Sequence, residues 1–310
     1  MIITCTYNPA LDQTLFVRQV QLGEVNRFTE SQLDPAGKGV NVARMAHRLG
    51  WPTIAFGFLG GEIGLIIERA LESEGVHFHF TRVPGLTRLN VTVVDQSTER
   101  ATSFYGPGPR IEPSDMDRLN DLMGFWLQTG RVLVLSGSLP RGISPSEYAR
   151  AITDAKARGV ATILDADGEA LREGLKAGPT LIKPNRREAE GLLGRSLPDL
   201  PSLVDGAREM ISRGVSSVVI SMGPEGAVAV DASGAWKATP LRVGHGSTVG
   251  SGDSMVAGLA VAMASGAGLH EGLRMGTAAG AATAMAPGTA LGTAEQVKTL
   301  INEVKIERVD

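Results

Sequence analysis

A layered α/β fold built on a mainly parallel central sheet is what this sequence predicts, on three observations. Short apolar runs alternate with segments of helical length. The runs at 132–135 and 217–220 are continuously apolar rather than alternating, the pattern of strands covered by helices on both faces. Polar and glycine-rich clusters follow these runs repeatedly, at the strand ends where such sheets carry ligands.

The elements follow in order. A strand is predicted over residues 2–7, a helix from Lys38 to Gly50, a strand at 53–58, a helix at 62–74 and a strand at 76–80. Between residues 12 and 37 the rhythm lapses: 15–17 and 26–29 read as short strands joined by a turn at Gly23, and 89–94 with 102–105 add two more extended pieces. These form a small sheet outside the main body that covers the mouth of a site, so the expectation is one domain over 1–310 with lid segments at 12–37 and 86–106. Regular alternation resumes with a helix at 115–129, a strand at 132–135, a helix at 145–158 and strands at 160–164, 180–182 and 217–220. A hairpin around Asp231-Ala232-Ser233-Gly234 makes the last sheet edge antiparallel, and helices at 250–265, 269–285 and 293–304 close the chain.

Composition narrows the function. A chain of 310 residues can bury a large core, and a formal charge of −3 gives no electrostatic reason to expect nucleic acid. The apolar run near 256–267 is glycine-interrupted and well under the roughly 20 residues that span a bilayer, so it reads as a core helix and no membrane partner is expected. Cys5 has no second cysteine to pair with, and residues 1–12 carry no basic leader before a signal-like stretch; the cytoplasm is the expected location. The histidines at 47, 77, 79, 245 and 270 lack metal-ligand spacing, and no P-loop, dinucleotide fingerprint or nucleophile elbow occurs.

The most informative stretch is 244–254, in which Thr248-Val249-Gly250-Ser251-Gly252-Asp253 leads into an apolar helix. First-turn amides and the helix dipole favour an anion, and Gly250 and Gly252 let a phosphoryl group approach the peptide nitrogens. A carboxylate there would repel the anion unless it has its own task, such as taking a proton from a substrate hydroxyl. The plainer alternative makes Thr248 an N-cap and Asp253 an ordinary first-turn acid. Gly37-Lys38-Gly39-Val40-Asn41 offers a second helix start with a cation and an amide, suited to a phosphorylated, hydroxyl-rich molecule; otherwise Asn41 caps backbone and Lys38 is solvated. Asn8-Pro9-Ala10-Leu11-Asp12 and Ser136-Gly137-Ser138 follow two strands. Asn185 and Glu188 either form a capping box or organise water and Mg²⁺ around phosphates, and Ser221 to Gly226 either passes under a nucleotide or is only a turn.

On these motifs, with Gly23-Glu24-Val25-Asn26-Arg27 and Lys183-Pro184-Asn185-Arg186-Arg187-Glu188, the chain resembles the ribokinase-like (PfkB) sugar kinases over essentially its full length. Within them it looks most like the bacterial 1-phosphofructokinase and tagatose-6-phosphate kinase branch; Ser251 stands where alanine is more usual. The resemblance implies a ribokinase-like three-layer α/β/α sandwich with a β lid, ATP and Mg²⁺ as cofactors, and phosphorylation of a primary hydroxyl of a ketohexose monophosphate. Asp253 would be the general base, with Gly250, Ser251 and Gly252 completing an anion hole. Asp12, Gly37, Gly39, Asn41, Asn90 and Ser138 would line the sugar pocket, with Lys38, Arg88 and Arg27 on the phosphate already present. Lys183, Asn185, Glu188, Ser221, Gly223, Gly226 and Thr248 would line the nucleotide side, Glu188 reaching Mg²⁺ through water. Fructose 1-phosphate is the first choice of substrate; tagatose 6-phosphate and fructose 6-phosphate are alternatives, with Arg100 a further candidate for the sugar phosphate. A reading from another class is a catalytically idle sugar-phosphate sensor. A homodimer joined through the lid sheets is also implied.

Overall fold

The first strand, β1 (Ile2–Thr6), is an interior strand of the main sheet, and its alternate residues feed two cores. Ile3 and Cys5 enter one apolar cluster, Ile2 the other, on the opposite sheet face. The computed structural model describes residues 1–239, 241 and 248–309; the 244–247 portion of the glycine-rich stretch lies outside them.

After β1 the chain forms β2 (Ala10–Val17), β3 (Phe28–Ala36), α1 (Lys38–Arg48), β4 (Thr53–Leu59), α2 (Gly61–Ser73), β5 (His77–Arg82), β6 (Arg88–Asp95) and β7 (Arg100–Phe104). It continues through α3 (Pro113–Trp126), β8 (Val132–Ser136), α4 (Glu147–Ala157), β9 (Ala161–Asp165), α5 (Gly168–Leu175), β10 (Leu181–Ile182), α6 (Arg186–Leu193) and α7 (Leu200–Ser212). Last come β11 (Ser217–Ser221), β12 (Ala227–Asp231), β13 (Gly234–Ala238), α8 (Ser251–Ser265), α9 (Leu269–Ala284), α10 (Ala294–Leu300) and β14 (Ile306–Arg308).

The main sheet has ten strands in the order β14-β13-β12-β11-β10-β9-β8-β1-β4-β5. Pairing is parallel from β11 to β5 and antiparallel from β11 out to β14, as the predicted edge hairpin requires. Helices α3, α4, α5 and α7 cover one face, and α1, α8, α9 and α10 the other, which makes three layers. The lid is a separate four-stranded sheet, β3-β2-β6-β7. It carries apolar residues outward: Leu22, Val25, Phe28, Leu33, Phe104 and Tyr105 are all more than half exposed.

The helices α5, α6 and α7 fill stretches where the sequence expectation placed no helix, and two other parts differ in extent. The lid strands β2 and β3 are much longer than 15–17 and 26–29, because β2 pairs along its whole length with β3 on one side and β6 on the other. That ladder holds polar residues such as Asp12, Gln13, Gln32 and Asp34, whose side chains hide the strand pattern. At the other end, α10 stops at Leu300 rather than 304, and the residues that follow add β14 beside β13.

Candidate active site

The carboxyl ends of β1, β8, β9, β10 and β11 lie side by side in the parallel part of the sheet, and the polar clusters that follow them converge there. Two helices begin at the same place. Gly37 at the start of α1 has φ 108°, and Gly250 at the start of α8 has φ 77°, backbone states that favour glycine. At α8 the N-cap is Gly250, not Thr248, so no side chain from the cap occupies the first-turn amides. Thr248 is exposed, and its carbonyl accepts from the Ser251 amide at 3.3 Å. Close packing sets the other glycines: a Cβ on Gly37 would sit 3.0 Å from Pro9 Cα, and one on Gly39 would run into Thr6 Oγ1.

The two helix starts are joined by a buried hydrogen bond, in which Asn41 Nδ2 of α1 donates to Asp253 Oδ2 of α8 at 2.8 Å. Asn41 therefore does not cap its own backbone with that group. Asp253 is 8% exposed, and its pKa is pushed up to about 6 by burial, with the nearby Asp165 charge adding to the rise. The Asn41 hydrogen bond and the positive charges of Lys38 and Lys183 act in the opposite direction.

Those two lysines share one partner. Lys38 Nζ lies 3.3 Å and Lys183 Nζ 3.5 Å from Oδ1 of Asp165, a side chain 1% exposed at the end of β9. Burial would lower the Lys38 pKa, but the Asp165, Asp253 and Glu188 charges outweigh it and the net shift is upward. Sequence reasoning passed over Asp165. Its one signal was an acid closing the apolar run Ala161-Thr162-Ile163-Leu164, where a parallel sheet carries its ligands.

A second group forms where the lid meets the body. Parallel pairing of β2 with β6 sets Asp12 beside Asn90, and Asn90 Nδ2 donates to Asp12 Oδ1 at 2.8 Å. Burial raises the Asp12 pKa. Arg88 donates through Nη2 to the Asn8 carbonyl at 2.9 Å and through Nη1 to the Gly106 carbonyl at 3.4 Å; its pKa is lowered by burial. Asn8 Nδ2 in turn donates to Ser138 Oγ at 3.3 Å.

Arg27 and Arg100 are not brought into this group. Arg27 precedes Phe28, which pairs with Val17, so at a rise of about 3.3 Å per residue it stands about 17 Å along β2 from Asp12. Arg100 pairs with Asp95, at the end of β6 away from Arg88. The cation of the GEVNR segment is thus remote from Asp12 within one chain.

Asn185 and Glu188 form the capping box of α6: the Glu188 amide donates to Asn185 Oδ1 at 2.9 Å, and the Asn185 amide to Glu188 Oε2 at 2.8 Å. Ser221 bridges Asn185 from β11, and Gly223 and Gly226 shape the turn after it with φ 57° and 93°. A Cβ at Gly223 would meet nothing within 4 Å, so this turn has open space beside it.

These residues fit a magnesium nucleotide. Among the described residues, the buried atoms Ser251 Oγ, Ser136 Oγ and Asp165 Oδ2 have no hydrogen-bond partner. Lys183 and the side-chain-free Gly252 adjoin, with a Cβ there 3.5 Å from Lys183 Nζ. Among the described residues no cluster of three or more His, Cys, Asp or Glu side chains could hold a metal by itself. Mg²⁺ arriving with a nucleotide would be held through phosphates, water and one or two carboxylates.

The sequence and the fold that carries this site have known counterparts. Residues 6–296 match the pfkB family of carbohydrate kinases, and the chain belongs to that family. It is 40% identical over 258 residues to the 1-phosphofructokinase of Escherichia coli K12, covering 83% of this chain and 82% of that protein. The 1-phosphofructokinase of Vibrio cholerae is 35% identical over 305 residues, 98% of this chain and 96% of its own. The crystal structure of Escherichia coli phosphofructokinase-2 in complex with substrates and products superimposes with a TM-score of 0.93 at 32% identity, covering 97% and 98% of the two chains. Among the described residues no helix is long and apolar enough to cross a membrane.

Proposed function

We propose that this protein transfers the γ-phosphate of ATP to a primary hydroxyl of a ketohexose monophosphate, with fructose 1-phosphate the preferred acceptor and fructose 1,6-bisphosphate the product. The observation that carries the reading is the Asn41–Asp253 hydrogen bond at the junction of two glycine-capped helix starts, with Lys38 and Lys183 beside it. Asp253 is the group that takes the proton from the attacking hydroxyl, and Asn41 holds one of its oxygens so that the other faces the substrate. The first-turn amides from Ser251 to Asp253 stabilise negative charge on the phosphoryl group in transit. Bound Mg²⁺-ATP supplies the phosphoryl group and a counter-charge for its oxygens. Lys183 and the 221–226 turn lie on the nucleotide side, and Glu188 reaches the cation through water. Asp12 and Asn90 hold sugar hydroxyls, while Lys38 and Arg88 take the phosphate already present.

Support for the 1-phosphate comes from relatives named 1-phosphofructokinase, and from the GEVNR segment at 23–27. A second reading, a 6-phosphate acceptor, is favoured by the likeness at 30% identity to phosphofructokinase-2 in complex with fructose-6-phosphate. Steady-state assays with ATP and each phosphosugar, with product identification, test the choice; a preference for either 6-phosphate replaces the first reading by the second. We also propose a homodimer. The exposed apolar lid face is supplied by four strands, too few to bury it alone, and a second lid sheet would cover it.

A further inference from the structure

We infer that Asp165 is a positioning residue that ties Lys38 to Lys183, so that one buried carboxylate sets the cation on the sugar-phosphate side and the cation on the nucleotide side together. The inference rests on the kinase reading above. Sheet register explains the arrangement. Ser136 pairs with Asp165 across β8 and β9, and Leu164 pairs with Ile182 across β9 and β10, so Lys183 emerges directly alongside the carboxylate. Lys38 opens α1 from the other side. Both ammonium groups converge on the single atom Oδ1, at 3.3 and 3.5 Å.

Two like charges held this close repel, and the repulsion grows as water is excluded. Lys183 is only 5% exposed, so its charge needs a fixed partner near it. Asp165 is itself anchored: its carbonyl accepts from the Gly137 amide at 3.0 Å, locking the end of β9 to the loop that packs against Lys38. The strand end that carries the carboxylate is therefore fixed, and the lysines are the longer, more flexible arms. A carboxylate serving only to neutralise Lys183 would leave Lys38, whose side chain is 33% exposed, to be neutralised by solvent. Sharing one oxygen instead makes the position of each lysine depend on the other.

The test is a set of variants with folding followed by thermal melting and with ATP and fructose 1-phosphate binding measured by calorimetry beside the kinetics. Asp165→Asn is expected to raise KM and Kd for both ligands about tenfold, whereas Lys38→Met weakens chiefly the phosphosugar and Lys183→Met chiefly the nucleotide, each with a smaller loss for the other ligand. In the Lys38→Met background, Asp165→Asn should cost no further phosphosugar affinity yet still weaken ATP. A change confined to one ligand, a change in kcat alone, or full additivity in that cycle overturns the inference. Should Asp165→Asn fail to fold, the Lys38→Met and Lys183→Met pair decides the same question without touching Asp165: the double variant should differ from the product of the single effects by more than about threefold, and additivity would sink the idea. If the unaltered protein makes no ADP with any phosphosugar, the kinase reading fails; if it turns over normally and Asp165→Asn leaves both affinities unchanged, only this inference does.

Discussion

As the proposed general base, Asp253 combines two properties that pull against each other: it must be buried to face a water-poor reaction and ionised to accept a proton. Burial and the neighbouring Asp165 charge place its pKa at about 6. The working form is the carboxylate, so kcat should fall as pH drops through about 6 and level off above it. A pH profile of kcat flat down to pH 5 would contradict the assignment. Asp253→Asn should lower kcat by roughly 10²–10⁴-fold, since the amide keeps the shape but cannot take the proton. Stability should move the other way. Because the folded-state pKa lies above the ordinary 3.8, burying the charged form opposes folding at neutral pH, and that penalty is relieved as pH falls through about 6. The Asn variant should therefore melt at or above the temperature of the parent at pH 7.5, and a large drop would show a structural role instead.

At the scale of elements, the glycines of α8 divide into two kinds. Gly252 has room: a Cβ there would sit 3.5 Å from Lys183 Nζ, an ordinary contact. Gly252→Ala should fold normally while kcat and ATP affinity drop, because the methyl stands where phosphoryl oxygens approach the amides. Gly258 has none, since a Cβ there would lie 2.6 Å from the Gly276 nitrogen where α8 crosses α9. Gly258→Ala should cost about 1–3 kcal/mol through overpacking, read by denaturant unfolding, with little effect on KM in whatever remains folded. Unequal legibility in the sequence has the same physical origin. Continuous apolar strands and the glycine-to-helix junctions at 37–41 and 250–253 were plain, because burial and helix starts impose local patterns. The lid strands were only half visible, because polar residues such as Asp12 and Gln13 sit in a ladder that pairing partners, not local pattern, hold in place. Asp165 was missed because its meaning comes from two lysines far away in sequence.

At the scale of the whole molecule, the lid is the least satisfied surface, with Phe28, Leu33 and Phe104 more than half exposed on its strands and Leu22 and Val25 exposed in the connection between β2 and β3. Sedimentation at assay concentration should give a dimer, and a charged substitution such as Leu33→Glu should shift it toward monomer; a parent that sediments only as monomer would reject the lid-to-lid pairing. The same geometry leaves Arg27 at the far end of the β2–β3 hairpin, away from the Asp12 and Arg88 group of its own chain. Family membership rests on nearly the whole chain, whereas the proposed substrate choice rests on a few cations around Asp12 and Arg88. Everything proposed for the site turns on phosphoryl transfer from ATP to a phosphosugar at Asp253. Its most direct test is ADP formation by the purified protein with fructose 1-phosphate, fructose 6-phosphate and tagatose 6-phosphate in competition, run beside Asp253→Asn. Rapid turnover by the parent is expected, with the highest kcat/KM for fructose 1-phosphate, fructose 1,6-bisphosphate as product, and near loss of activity in the variant. No ADP with any of the three sugars, or equal turnover by the Asn variant, would contradict it.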